Sequence, residues 1–364
     1  MMLGDLGADV IRIERAGATL ERDPAKDPLL RNRRSIALNL KHPDGVETAL
    51  RLLATAHVLI EGYRPGVTER LGLGPDVCLS RNPRLVYGRM TGWGQDGPLA
   101  MVAGHDINYI ALTGTLHLIG PAGGKPTPPL NLIGDFGGGG MLLLSGILAA
   151  LLEAGKSGRG QVVDAAMVDG AAALMGMVFA LRADGYFRDA TGENTFAGGA
   201  PFYDTYETLD GKYISIGSLE PQFYALLLQK LGLDSEAELQ GLGLASIGDA
   251  EARARWPALR RALQRVFKTR TREGWQQALE GSDVCFAPVL TLEEAAHHPH
   301  NVARQTFLEI GGVVQNAPAP RFSRTPASMP TAGHVAGLDT EAVLLEAGVS
   351  YAEFRRLQAA GIVG

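Results

Sequence analysis

A regular alternation of short apolar runs with amphipathic segments in the first half of the chain constrains the fold most. Runs typical of strands begin near Val10, His57, Leu85 and Gln161, and a further short strand with one accessible face lies within residues 32–40. Between several of them the spacing of apolar residues predicts helices. Because strands that alternate with helices favour a parallel, doubly wound sheet, the pattern predicts a Rossmann-like α/β fold.

A different pattern after residue 200 predicts a second domain. Two β-like segments are joined by Asp210-Gly211, a strong hairpin signal, and charged helical segments follow. A chain of 364 residues is also long for one core. We therefore expect a large α/β domain from residues 1–190 and 305–364, and a smaller α+β domain from residues 200–300.

The start of the sequence lacks one element of this pattern. Residues 1–6 resemble the end of a helix, with Gly7 as its cap, and a strand follows at Val10. An α/β unit normally places a strand before such a helix. We therefore expect that the first strand of the fold is missing from this sequence.

Composition argues against several classes of protein. A net charge of −5 provides no broad basic field, so no nucleic-acid partner is expected. Cys78 and Cys285 lack Cys-x-x-Cys spacing, which favours a reducing cytoplasm, and Cys285 is predicted to lie in the core. His297 to His300 have no regularly spaced acidic or cysteine ligands, so this segment is predicted to be a surface loop without metal. Residues 141–152 are predicted to form a buried helix too short to span a bilayer, so no membrane partner is expected.

A histidine and a carboxylate are the main candidates for chemistry. His105 follows a glycine-rich loop at the carboxyl end of a predicted strand, the edge at which open α/β sheets bind ligands. His105 and Asp135 could each simply cap a helix, but the four glycines after Phe136 exceed what a cap needs. Backbone N–H groups of a turn at 134–140 could hold an oxyanion, and the two side chains could transfer protons. Glu220 is either a solvated helix-start glutamate or a group that orients a histidine.

Basic residues in the first part of the chain have two interpretations. Each is most simply a solvated charge, and together they could contact the phosphates of a nucleotide-like ligand. Neither a dinucleotide-binding nor a P-loop pattern accompanies them. The residues concerned are Arg15, Arg31, Arg33, Arg34, Lys41, Arg64 and Arg70.

Several segments are distinctive enough to suggest a relative. They include residues 6–14 (LGADVIRIE), 61–67 (EGYRPGV), 104–109 (GHDINY), 131–135 (NLIGD) and 218–224 (SLEPQFY). With these segments the sequence resembles the α-methylacyl-CoA racemases, within the family III CoA-transferase superfamily. The resemblance extends over essentially the whole chain.

The resemblance implies roles for particular residues. His105 and Asp135 match the two proton-transfer residues of the racemases, and Glu220 matches a glutamate that hydrogen-bonds the histidine. Members of the family are interlocked homodimers, so Glu220 would reach His105 across the subunit boundary. CoA is part of the substrate, and no other cofactor is implied. The positions matching CoA or thioester contacts are Arg15, Leu38, Asn39, Leu40, Lys41, Gly62, Tyr63, Arg64, Arg70, Gly104, Asp106, Ile107, Asn108 and Tyr109.

The implied activity is interconversion of the 2R and 2S epimers of 2-methylacyl-CoA thioesters. The alternative is a CoA-transferase that forms an acyl anhydride on Asp135, and a second alternative is a non-catalytic acyl-CoA-binding protein. The run at 104–109 favours the racemase, because the transferases generally lack it. Branched fatty acyl, sterol side-chain and arylpropionyl groups all remain open.

Overall fold

The chain has an α/β fold with parallel sheets, as predicted. A computed structural model describes residues 1–17 and 22–364. The strands are β1 Val10–Arg15, β2 Arg33–Leu38, β3 Val58–Glu61, β4 Val86–Thr91, β5 Val162–Ala166, β6 Tyr203–Glu207, β7 Tyr213–Gly217, β8 Phe286–Pro288, β9 Phe307–Ile310 and β10 Val313–Asn316.

Helices connect these strands and follow them. The α-helices are α1 Met2–Asp5, α2 Pro43–Leu53, α3 Val67–Arg70, α4 Pro75–Arg81, α5 Asp106–Leu112, α6 Thr115–Leu118, α7 Leu142–Ser157, α8 Met167–Leu174, α9 Gly176–Ala183, α10 Pro221–Leu231, α11 Ala250–Phe267, α12 Arg272–Leu279, α13 Leu292–His297, α14 Pro299–Arg304, α15 Thr340–Glu346 and α16 Tyr351–Ala359. A π-helix covers Leu132–Met141, and 3₁₀ turns lie at Pro24–Lys26, Pro28–Leu30, Thr195–Ala197, Ala237–Leu239 and Leu244–Ser246.

The described residues group into two compact units. Unit 1 contains residues 1–103, 139–167 and 292–364, and unit 2 contains residues 104–138 and 168–291. The two units are groups of residues in mutual contact and do not test domain boundaries. The predicted large domain (residues 1–190 and 305–364) and small domain (residues 200–300) therefore stay a prediction.

Unit 1 contains the parallel sheets. Strands β1 and β2 pair in parallel, and β3, β4 and β5 form a second parallel sheet in that order. Ile36 and Tyr87 are fully buried and share a core with Leu344, Phe354 and Leu357. The last two helices, α15 and α16, therefore complete the core of the first part of the chain.

Unit 2 contains an antiparallel sheet covered by helices. The predicted hairpin is present as β6 and β7, and Gly211 in its turn has a φ of +72°, which glycine adopts without strain. The third strand, β8, lies at 286–288 and pairs with β7. The core contains Tyr206, Trp256, Phe267 and Trp275.

The glycine run after Asp135 is helical, so the predicted turn at 134–140 is wrong. These residues belong to the π-helix, which continues into α7. The glycines allow this helix to pack closely against α8. A Cβ on Gly170 would lie 1.8 Å from the carbonyl oxygen of Gly138, so two glycines are needed where the backbones meet.

This continuous helix is also longer than predicted. It extends over Leu132–Ser157, 26 residues, and is the one helix of the described chain that could cross a membrane by length and composition alone. Residues 141–152 are therefore part of a longer helix, and the predicted length was wrong. Ile147 and Ala150 are buried on the face towards β4 and β5, while Leu152 is exposed on the other. A core helix of a soluble protein meets the same two criteria.

Two smaller predictions are also wrong. Cys285 is exposed, not in the core, and its backbone has a φ of +51°. His297 ends α13, and α14 begins at Pro299, so the histidine segment is helical. Proline suits the first position of a helix, and the ring Nδ1 of His298 accepts a hydrogen bond from the N–H of His300 at 3.3 Å.

Candidate active site

His105 lies immediately before α5 and has an exposed side chain. Its backbone N–H donates to Oδ1 of Asn108 at 3.0 Å, and its carbonyl accepts from the N–H of Asn108 at 2.8 Å. The buried Tyr109 hydroxyl donates to the carbonyl of Gly104 and closes the preceding turn. The imidazole is therefore held at a fixed helix start, with its ring open to the surface.

Asp135 lies on the π-helix and is half-buried. Nδ2 of Asn131 donates to its Oδ2 at 3.0 Å. Burial raises the pKa of Tyr109 on α5, and the carboxylate of Asp135 raises it further. Asn131 was not predicted as a neighbour of Asp135, although its position four residues earlier would place it on the same helical face.

Asp106 connects the two segments. Its Oδ2 accepts hydrogen bonds from the backbone N–H groups of Gly134 at 2.6 Å and Asp135 at 2.8 Å. Its side chain is buried and turned towards the π-helix backbone, whereas the resemblance places it along the thioester. The sequence suggested that backbone N–H groups of this segment could hold an oxyanion. In this arrangement the N–H groups of Gly134 and Asp135 are already bonded to Asp106, so they are not free to do so.

Glu220 lies before Pro221 at the start of α10 and is exposed. Within one copy of the described chain, no hydrogen bond or ion pair joins Glu220 to His105. Burial raises the pKa of the Cys285 thiol, and the Glu220 carboxylate raises it further. Glu220 therefore lies near the exposed Cys285 of its own unit.

Most of the residues expected to contact CoA lie at the carboxyl ends of strands in unit 1. Arg15 ends β1 and is paired in register with Leu38 at the end of β2, and Gly62 follows β3. The side chain of Leu38 is buried, which leaves the neighbouring polar groups to face a ligand. The exposed side chains are Arg15, Lys41, Tyr63, Arg64 and Arg70.

An ion-pair network supports this strand edge and was not predicted. Arg89 on β4 bonds Oε1 of Glu61 at 2.8 Å and Oε1 of Glu69 at 2.9 Å. The other oxygen of Glu61 accepts the backbone N–H of Tyr63 at 2.7 Å. The network thus holds both ends of the segment that contains Arg64. A signal was present, because Glu61 and Arg89 occupy opposite positions on neighbouring strands.

Other arginines of the basic cluster have structural partners. Arg31 is buried and bonds Asp5 through two nitrogens, at 2.5 and 3.0 Å, as well as Gln315 at 2.8 Å. Arg34 bridges Asp9 and Glu346. These contacts support a structural role for both arginines rather than phosphate binding. Among the described residues, no cluster of three or more His, Cys, Asp or Glu side chains is placed to hold a metal ion.

Comparison with known families identifies the relationship. The model of CoA-transferase family III matches residues 1–340. The chain belongs to CoA-transferase family III. This confirms the resemblance inferred from segments such as residues 104–109 and 131–135.

Relatives within the family are similar over their whole length. The α-methylacyl-CoA racemase of Mus musculus is 45% identical over 366 residues, which cover 100% of this chain and 92% of the mouse protein. The α-methylacyl-CoA racemase of Homo sapiens is 41% identical with the same coverage. The crystal structure of the hypothetical protein Rv3272 from Mycobacterium tuberculosis has a TM-score of 0.77 and 27% identity, covering 94% of this chain and 92% of that one.

Proposed function

We propose that this chain is an α-methylacyl-CoA racemase that interconverts the 2R and 2S epimers of 2-methylacyl-CoA thioesters. One observation carries the proposal. His105 and Asp135 lie in the same compact unit, and the Asp106 side chain connects their segments. Identities of 45% and 41% to two proteins with this name support it.

The proposed reaction moves one proton off a carbon and another onto it. The thioester makes the α-hydrogen acidic, and one of His105 and Asp135 takes it from one face. The electron pair of the broken C–H bond passes to the thioester as an enolate. The other residue then donates its proton to the opposite face, which inverts the centre. Two bases are required, because a single base returns the proton to the face it left.

Isotope exchange tests this proposal. A panel of 2-methylacyl-CoA esters is incubated in deuterated water, and α-deuterium and inversion are both measured. We expect His105→Ala and Asp135→Ala each to slow inversion by about 10²–10⁴-fold. His117→Ala is the control, because His117 is an exposed histidine of the same unit. A parent rate of inversion in His105→Ala would refute the two-base scheme.

CoA transfer is the alternative that the family name favours. In that reaction Asp135 attacks the thioester carbonyl, CoA leaves as a thiolate, and an acyl anhydride forms on the carboxylate. Incubation with an acyl-CoA and a free carboxylic acid separates the two reactions. Movement of CoA to the acid without α-exchange would support transfer, and α-exchange without movement of CoA supports racemisation. CoA binding with neither reaction would favour the non-catalytic alternative.

We also infer that the chain works as a homodimer, with Glu220 acting on His105 of the other copy. Exposed apolar side chains in unit 2 support an interface, since Leu112, Met177 and Phe179 are 62%, 55% and 52% exposed. The lack of a contact between Glu220 and His105 within one described chain is consistent with this arrangement.

Complementation tests the arrangement directly. Glu220→Ala and His105→Ala chains are co-expressed with different tags, and the mixed dimer is purified. If Glu220 acts across the interface, each mixed dimer has one site with both native residues. The purified mixed dimer should then have about half of the parent sites. If Glu220 acts within its own chain, the mixture stays as inactive as either variant alone.

A cytoplasmic location stays a prediction.

A further inference from the structure

The two proposed acid/base groups are connected through one side chain. Asp106 directly follows His105, so its main chain is tied to the histidine by one peptide bond. Its Oδ2 accepts the N–H of Asp135 itself at 2.8 Å, and that of Gly134 at 2.6 Å. The path from His105 to Asp135 therefore contains one residue and a pair of hydrogen bonds.

The surroundings leave this connection little freedom. Asp106 is only 4% exposed, and a Cβ on Gly134 would lie 2.7 Å from its Oδ2 and 3.2 Å from its Cα. Glycine at 134 therefore permits the carboxylate to approach the helix backbone this closely. The first turn of a helix has N–H groups without partners in the helix, and here Asp106 satisfies two of them.

The arrangement also has a cost for folding. Oδ1 of Asp106 is buried and has no hydrogen-bond partner among the described residues. A buried polar atom without a partner destabilises a fold by about 1–3 kcal/mol. Local conflicts of this kind are retained mainly at functional sites. The cost is consistent with a role for Asp106 in positioning, beyond stabilising the helix start.

We propose that Asp106 is a positioning residue that sets the separation of His105 and Asp135 and thereby sets the fraction of proton removals that end in inversion. This rests on the proposed racemase function. Inversion needs both groups within reach of one carbon, whereas exchange of the α-hydrogen needs only the group that removes it. When the separation is wrong, the first group returns a solvent-derived proton to the same face, and exchange proceeds without inversion.

The ratio of inversion to exchange tests the proposal. Rates of inversion and of α-deuterium incorporation are measured on the same 2-methylacyl-CoA ester for the parent, Asp106→Ala, Asp106→Asn and Gly134→Ala. A displacement of about 1 Å can cost about 10²-fold in rate, so we expect the ratio to fall by about 10–100-fold in Asp106→Ala and Gly134→Ala. Asp106→Asn keeps an oxygen that can accept both N–H groups, so much of the ratio should return. Asp189→Ala, which removes an exposed carboxylate of unit 2, should keep the parent ratio.

The possible outcomes are distinct. If Asp106→Ala does not fold, Gly134→Ala and Asp106→Asn decide the result. Equal losses of inversion and exchange in these variants would show a purely structural role and overturn the proposal. If the parent exchanges and inverts, and the variants keep the parent ratio of inversion to exchange, the proposal is overturned while the racemase function stands. A parent without either reaction would overturn the racemase function, and this proposal with it.

Discussion

Arg89 forms a buried ion pair with Glu61, and the contribution of this pair to stability can be compared with that of an exposed ion pair in the same unit. The side chains of Arg89 and Glu61 are 8% and 4% exposed. Arg81 and Glu47 form a comparable pair at 2.8 Å, but their side chains are 45% and 55% exposed. Arg89→Met removes one partner of the buried pair and leaves the Glu61 carboxylate without it, whereas Arg81→Met does the same to a solvated glutamate.

The difference in burial sets the expected magnitudes. Loss of one partner from a buried pair costs about 3–5 kcal/mol, and an exposed pair contributes about 0–1 kcal/mol. Each ~1.4 kcal/mol corresponds to a tenfold change in an equilibrium constant. Opening of the sheet around β3 and β4 should therefore become about 10²- to 4 × 10³-fold more frequent in Arg89→Met, and less than about tenfold more frequent in Arg81→Met.

Amide hydrogen exchange measures this opening, because it reports the stability of each part of a fold separately. Exchange of the backbone amides of residues 58–61 and 86–91 is followed by mass spectrometry for the parent and both variants. Glu61→Gln combined with Arg89→Met should recover part of the protection, since no buried carboxylate is then left unpaired and the Glu69 carboxylate, which also loses Arg89, is 43% exposed. Equal acceleration in Arg89→Met and Arg81→Met would refute the argument from burial.

Two further predictions concern packing and pH. Gly170→Ala should destabilise unit 2, because the new Cβ would overlap the Gly138 carbonyl. In Gly155→Ala the new Cβ meets open space in α7, so this change should stabilise the helix by up to about 1 kcal/mol. Thermal unfolding of both variants measures the two effects. The hydrogen bond from Arg89 lowers the pKa of Glu69 in the folded chain. The ionised Glu69 therefore stabilises the fold fully above the pKa of a glutamate in the unfolded chain, and this stabilisation is lost as pH falls through the pKa of Glu69 in the folded chain. Because Glu69 is 43% exposed, Glu69→Gln should cost less than about 1 kcal/mol at pH 7, and denaturation at pH 7, 5 and 3.5 should show this difference shrinking below about pH 4.

Local sequence signals predicted the elements that depend on local chemistry. The strands of the parallel sheets follow runs of apolar residues, and the hairpin of β6 and β7 follows from Asp210-Gly211. His105 and Asp135 were identified as candidates from glycine content and position. These features are visible in sequence because each depends on residues only a few positions apart.

Features that depend on distant residues were missed. The glycine run looked like a turn, but it is helical, and its glycines allow Gly138 to meet Gly170 across two helices. Asp106 looked like a ligand contact, but its partners are backbone groups about thirty residues away. Cys285 looked like a core residue because its neighbours are apolar, and the left-handed conformation at this position was not visible in the sequence.

The core of unit 1 has a consequence for how the chain is made on the ribosome. Ile36 and Tyr87 share one core with Leu344 and Phe354, so the early strands and the last helices complete it together. Roughly 250 residues separate these parts, and synthesis at ~5–20 residues per second takes about 10–50 s to cover that distance. During this time the apolar faces of the early strands lack their final cover. Unit 1 should therefore finish folding only after the last helices have left the ribosome, and holdase chaperones should bind the nascent protein between residues 36 and 87.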